Sequence, residues 1–259
     1  MLGQRILFRF GLALLIPFIT GCAADTTTLQ RRLEPHYRAQ RPEGPGPFAA
    51  ILLVPGCGGI SPGRVETAKQ LVAQGYAVVF IDYLASRGLQ TACAGQVRLD
   101  EVADDIRSVS VQLRTLPYIK QDGLGAVGWS LGGAAVLTSL GAWGRDQPPW
   151  FNAAAAFYPP CSRLRSWKNT VPTLVLLGGL DDIAPPGPCQ DLLRSVGKES
   201  AVEVRMYPGA RHSFDSSDKP PMMPSRNFPG KTTGYHAEAA RQAWSEIMVL
   251  FDRELRGSK

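Results

Sequence analysis

Three residue types suited to acyl transfer stand far apart in this chain, each in a small-residue segment that follows an apolar run. Gly128-Trp129-Ser130-Leu131-Gly132-Gly133 has the spacing G-x-S-x-G, between a short apolar run and an alanine-rich stretch. A serine hydroxyl is a weak nucleophile at neutral pH and needs a base within hydrogen-bond reach. Of the three histidines, His36 lies in an N-terminal entry segment and His236 opens the last amphipathic helix. His212 follows the run ending Met206-Tyr207-Pro208, in the loop Gly209-Ala210-Arg211-His212-Ser213-Phe214, and is the expected base. A carboxylate must then hold the imidazole in the right tautomer. Gly178-Gly179-Leu180-Asp181-Asp182 supplies two, with Asp181 preferred and Asp182 as its neighbour or a loop cap. An oxyanion needs two backbone N–H donors, expected at Leu131 and at Cys57 of the segment Pro55-Gly56-Cys57-Gly58-Gly59. The plainer readings are a glycine-rich turn with an incidental serine, a surface histidine and an Asx turn beside Pro185.

Such side chains converge only if the elements before them run the same way. Phe48–Val54 and Tyr76–Ile81 are continuous apolar runs, the pattern of strands buried on both faces of a parallel sheet. Shorter strands are expected at Gly125–Trp129, Ala153–Tyr158, Thr173–Leu177 and Val202–Tyr207. Helices are expected at Arg64–Gln74, Arg98–Leu116, Leu131–Leu140, Gln190–Val196 and Ala237–Leu255. In the second of these, Leu99, Val102, Ala103, Ile106, Val109 and Leu113 form one apolar stripe, while Asp100, Glu101, Asp104, Asp105 and Arg107 are read as largely facing water. Alternating strands and helices predict an α/β architecture, a mostly parallel sheet with helices on both faces. A serine at a sharp strand-to-helix turn then projects from the sheet's C-terminal edge. Ser130, Asp181 and His212 follow in the chain order of α/β-hydrolases, and the spacing G-x-x-D favours Asp181 there.

The N-terminus is of another character. Arg5 and Arg9 precede the apolar run Phe10–Ile19, the layout of a secretory leader over residues 1–21. Pro17 interrupts the run, which is about half the ~20 residues of a spanning helix, so an uncleaved anchor is the weaker alternative. Ile19-Thr20-Gly21-Cys22 resembles a bacterial lipobox. The resemblance implies lipidation of Cys22, membrane attachment through that lipid, and a cell-envelope location, at the periplasmic face of the outer membrane in a Gram-negative cell. Residues 22–45 read as tether and entry segment, and 46–259 as the α/β-hydrolase domain.

Loss of Arg5 and Arg9 with the leader lowers the formal charge from +6 to +4. That mild, scattered charge does not suggest nucleic acid as a partner. Cys57, Cys93, Cys161 and Cys189 remain beyond Cys22, without C-x-x-C spacing or a nearby histidine, so zinc is not expected. An even count in an exported chain suggests disulfides. Cys57 and Cys93 follow successive strands, as do Cys161 and Cys189, which favours those two pairings, with free buried thiols as the alternative.

From about Pro47 to Leu255 the chain resembles the dienelactone hydrolase family, in its bacterial branch with a serine nucleophile. The residues that carry this are Pro55–Gly59, Asp82-Tyr83 with Ser86-Arg87-Gly88, Gly128–Gly133, Tyr158-Pro159, Gly178–Asp182 and Tyr207–His212. The resemblance implies cofactor-free hydrolysis of a small ester or lactone, with Ser130, Asp181 and His212 as nucleophile, acid and base. The family's best-known members have cysteine where Ser130 stands, and many relatives have histidine in place of Pro55. The alternatives are a catalytically silent lipoprotein binding a ligand or partner, and a serine peptidase. Arg87 has two readings, contact with an acidic substrate group or a surface salt bridge, the second preferred. Oligomeric state is left open.

Overall fold

The computed structural model describes residues 37–141, 150–164, 169–196 and 200–257. The leader, Cys22 and His36 lie outside the described residues, as does most of the 22–45 segment. One sheet contains strands β1 (Tyr37–Gln40), β2 (Phe48–Val54), β3 (Ala77–Ile81), β4 (Ile119–Trp129), β5 (Ala153–Phe157), β6 (Thr173–Gly178) and β7 (Val202–Tyr207). Their order across the sheet is β1-β3-β2-β4-β5-β6-β7. β2 to β7 run parallel, and β1 alone pairs antiparallel, with β3. β1 lies inside the stretch read as an entry segment. Its sequence Tyr-Arg-Ala-Gln has no apolar alternation, because an edge strand with one neighbour buries little.

Helices α1 (Pro62–Ala73), α2 (Leu99–Arg114), α3 (Leu131–Gly141), α4 (Gly187–Val196) and α5 (Ala237–Phe251) flank the sheet. Alternation along β2 shows how. Leu52 and Val54 pack with Val102, Ile106 and Val109 of α2 and Ala135 of α3. Ile51 and Leu53 point to the other face, against Ala68 and Leu71 of α1 and Ala243 and Ile247 of α5. Both faces are therefore core, which is why β2 is a continuous apolar run. β4 begins at Ile119, six residues ahead of the expected Gly125, and a register irregularity opposite Phe48–Ala50 accommodates the polar start. A small second sheet, β8 (Met223–Pro224) with β9 (Thr232–Thr233), had no periodic signal at all.

Two residues read as largely water-facing are packed inward: Arg107 is half-buried and donates to the Thr138 carbonyl of α3 at 3.2 Å, and Asp105 is buried outright. The Asp105 side chain is fully buried, because Arg87, from the turn after β3, reaches its carboxylate. Among the described residues no helix is long and apolar enough to cross a membrane.

Candidate active site

Because β2 pairs with β4 and β4 with β5, the loops after these strands meet at one rim of the sheet. Ser130 sits between β4 and α3 with φ 51°. Its N–H donates to the Phe157 carbonyl at 2.9 Å, and its own carbonyl accepts from Ala134 N–H at 3.0 Å. The turn is tight enough to exclude side chains on both sides. A Cβ at Gly128 would stand 2.4 Å from the Gly132 carbonyl oxygen, and one at Gly132 would stand 2.2 Å from that of Val54. The glycines of G-x-S-x-G are thus required by backbone contact.

His212 Nε2 lies 3.0 Å from Ser130 Oγ, and His212 Nδ1 lies 2.7 Å from Asp181 Oδ2. Both His212 and Asp181 are buried. The other carboxylate oxygen of Asp181 accepts from Ile183 N–H at 2.9 Å and Ala184 N–H at 2.8 Å. Those two bonds fix the carboxylate and leave Oδ2 facing the imidazole. Asp182 turns the other way and accepts from the Thr232 N–H at 3.1 Å and the Thr232 hydroxyl at 3.3 Å. Thr233 in turn donates its hydroxyl to the His212 carbonyl at 2.6 Å, so Asp182 and β9 brace the histidine loop from outside. His236 caps α5, its Nδ1 accepting from Ala239 N–H at 3.2 Å.

The Pro55–Gly59 loop lies against the elbow: a Cβ on Gly56 would be 3.2 Å from the Trp129 carbonyl and 3.4 Å from Ser130 Cβ. Cys57 is bonded to Cys93, and Cys161 to Cys189. Tyr83 donates its hydroxyl to the Gly56 carbonyl at 2.9 Å, and Ala92 N–H donates to the Cys57 carbonyl at 2.8 Å. Carbonyls and sulfur of this loop are thereby held on the side of the post-β3 segment. Leu131 is buried at the start of α3.

Arg87 is committed away from chemistry. It bonds Asp105 and the Tyr83 carbonyl, with Glu101 at 3.8 Å. The pair is buried at the Asp105 end, so it is an interior ion pair and not the surface bridge expected.

A cleft of about 550 Å³ opens over Ser130 and His212. Gly56–Gly59 and the excursion after His212, with Lys219, Met223 and Phe228, both line it. Among the described residues no group of three or more His, Cys, Asp or Glu side chains is gathered as a metal would require. Reasoning from the sequence missed a polar cluster in the cleft wall, in which Arg64, Trp129, Tyr158 and Ser216 line the cleft and Asp215 is buried behind them. In sequence Arg64 is a helix-start residue and Asp215 an ordinary loop acid, so only proximity to His212 hinted at it.

A family model, that of the dienelactone hydrolase family, matches residues 37–255. The chain belongs to the dienelactone hydrolase family. The class of chemistry follows, hydrolysis of ester bonds. The chain is similar to a Synechocystis sp. protein named as a carboxymethylenebutenolidase, at 21% identity over 239 residues covering 83% of this chain and 90% of that one. A Klebsiella pneumoniae structure described as a dienelactone hydrolase superposes with a TM-score of 0.67 at 18% identity, covering 84% of this chain and 92% of that one. The Thermogutta terrifontis esterase Est2, solved with propionate bound, superposes with a TM-score of 0.58 at 17% identity, covering 85% and 89%. At such identities the superpositions speak for the fold, an α/β-hydrolase sheet.

Proposed function

We propose that this dienelactone hydrolase relative is a serine-dependent esterase or lactonase working through an acyl-enzyme. Ser130 Oγ attacks the substrate carbonyl carbon while His212 Nε2 takes its proton. Asp181 holds Nδ1–H and stabilises the imidazolium that forms. The tetrahedral oxyanion is met by the backbone N–H groups of Cys57 and Leu131, donors of a kind that contribute about 3 to 4 kcal/mol each. Collapse expels the alcohol with the proton returned from His212. Water, deprotonated by His212, then releases the acid and restores Ser130. In a lactone the leaving alcohol stays joined to the acyl chain throughout, so the last step releases a single hydroxy acid.

The observation carrying this reading is the unbroken hydrogen-bonded chain from Ser130 Oγ through His212 to Asp181, at 3.0 and 2.7 Å. Support for esters comes from the family and from relatives named for ester and lactone substrates. The test is labelling by a fluorophosphonate probe together with hydrolysis of an acyl-chain series. Labelling and turnover that both vanish in Ser130→Ala are expected; wild-type levels of both in that variant overturn the assignment.

We propose separately that the enzyme is held at a membrane through its N-terminus. Ile19-Thr20-Gly21-Cys22 after a short apolar leader supports cleavage before Cys22 and acylation there. Full-length protein expressed in a bacterium is expected in the membrane fraction and labelled by a fatty-acid probe. Cys22→Ala is expected to lose the label; a label that stays sinks the assignment.

A further inference from the structure

Asp215 lies three residues after His212, with a fully buried side chain. Its Oδ2 accepts from Arg64 and from Trp129 Nε1 at 2.7 Å. Its Oδ1 accepts from the Tyr158 hydroxyl at 2.7 Å and from Arg64 Nη2 at 3.0 Å. Arg64 Nη2 also donates to the Tyr158 oxygen at 2.6 Å and to Ser216 Oγ at 2.7 Å. The Arg64 guanidinium lies over the Trp129 ring, 4.4 Å from its centroid.

Every donor to this carboxylate comes from a different element. Arg64 belongs to α1, Trp129 is the last residue of β4 and adjoins Ser130, and Tyr158 follows β5. The Tyr158 ring in turn stands 4.5 Å, centroid to centroid, from the His212 imidazole. Burial pushes the Tyr158 phenol well above its usual range, so it donates as a neutral hydroxyl. Burial opposes the Arg64 charge, but the facing Asp215 raises the guanidinium pKa overall, so Arg64 stays charged.

A buried ion pair is weak as a source of stability, since well-packed apolar residues often serve as well or better. Its value lies in direction: a carboxylate with all its lone pairs engaged fixes its donors relative to one another. Backbone strain marks what is being fixed. Among the described residues the non-glycine positions with positive φ are Ser130 at 51°, Tyr158 at 38° and Ser213 at 63°. All three line the cleft. Tyr158 belongs to the Asp215 cluster, Ser130 adjoins Trp129 and Ser213 is two residues from Asp215, as expected where the surroundings over-determine a strained backbone.

We propose that Asp215 is a positioning residue that locks the nucleophile elbow to the histidine loop, with Arg64 as its counter-charge. The inference rests on Ser130 and His212 acting as proposed above. Asp215 itself does not line the cleft, so its effect reaches the reacting atoms through Trp129 and Tyr158.

The test uses Asp215→Asn, Trp129→Phe and Tyr158→Phe in the whole protein; Tyr158→Phe deletes one donor while keeping the ring, and Trp129→Phe deletes one donor and shortens the indole to a phenyl. Turnover is expressed per site titrated by the fluorophosphonate probe, which removes the contribution of unfolded protein, and Ser130→Ala is the control. Turnover per titrated site is expected to fall on the order of 10- to 100-fold in each, with KM changed about twofold or less, as for a small misplacement of reacting groups. A merely structural cluster would lower the thermal midpoint and the number of titratable sites but leave turnover per site unchanged. That outcome in Trp129→Phe and Tyr158→Phe overturns the proposal even if Asp215→Asn does not fold. Full turnover in Ser130→Ala, by contrast, removes the underlying reading and the proposal with it.

Discussion

The N–H of Leu180 donates to the carbonyl of Ala210 at 2.9 Å, which zips the loop carrying Asp181 to the loop carrying His212. One residue back, Gly179 N–H donates to the Tyr207 carbonyl at 2.8 Å. The two loops continue the β6–β7 pairing past the end of the sheet, so the separation of carboxylate and imidazole is set by backbone ladder geometry. A Cβ on Gly179 would lie 2.7 Å from the Pro208 carbonyl oxygen. Gly179→Ala is therefore expected to push the loops apart. Overpacking of this kind costs about 1–3 kcal/mol, and kcat should fall while KM is little changed. Steady-state kinetics with thermal melting checks it; an unchanged kcat in stable protein would refute it.

The two adjacent acids should separate in function. Asp181→Asn keeps the shape but alters the bond to His212 Nδ1, and a loss of roughly 10³- to 10⁴-fold in kcat is expected. Asp182 instead accepts from Thr232 and braces the histidine loop from outside, so Asp182→Asn is expected to lower kcat only several-fold. Comparable kcat losses in both variants would contradict the division.

The disulfides should separate in the same way. Cys57–Cys93 closes a span of 36 residues and Cys161–Cys189 one of 28, each contributing about 2–4 kcal/mol by restricting the unfolded chain. Only the first clamps the loop beside Ser130. Cys93→Ser is expected to lower kcat as well as stability, whereas Cys189→Ser lowers stability alone. Equal kcat in the two variants, measured below their melting temperatures, would show that the clamp has no bearing on turnover.

Arg87 offers a test of its own commitment. Its removal in Arg87→Leu leaves Asp105 buried beside an uncharged group, a change that typically costs about 3–5 kcal/mol. Because Arg87 is tied to Asp105, Glu101 and the Tyr83 carbonyl, KM for an ester bearing a carboxylate is expected to match wild type in the folded fraction. A KM that rises for acidic esters alone would return Arg87 to the substrate site.

Local order was written in the chain itself. Runs such as Phe48–Val54 and Ala77–Ile81 specify buried parallel strands because both of their faces are apolar, and the stripe Val102, Ile106, Val109, Leu113 specifies α2. Gly128 and Gly132 mark the elbow because no other residue fits between backbone segments that close. Chain order and the small-residue loops nominated His212 and Asp181. What tertiary structure decided is everything resting on contacts between residues distant in sequence. Asp181 and Asp182 are chemically identical neighbours, and only the paths of Ile183, Ala184 and Thr232 turn one toward the imidazole and the other away. Asp105 sits at a position the helical pattern assigned to solvent, and is buried because Arg87 arrives from the turn after β3. β1 is a strand only because β3 offers it an edge. Asp215 is an unremarkable loop acid until α1, β4 and β5 bring Arg64, Trp129 and Tyr158 to it. Periodicity records which face of an element is buried, but a polar hydrogen bond across the fold leaves no periodic trace.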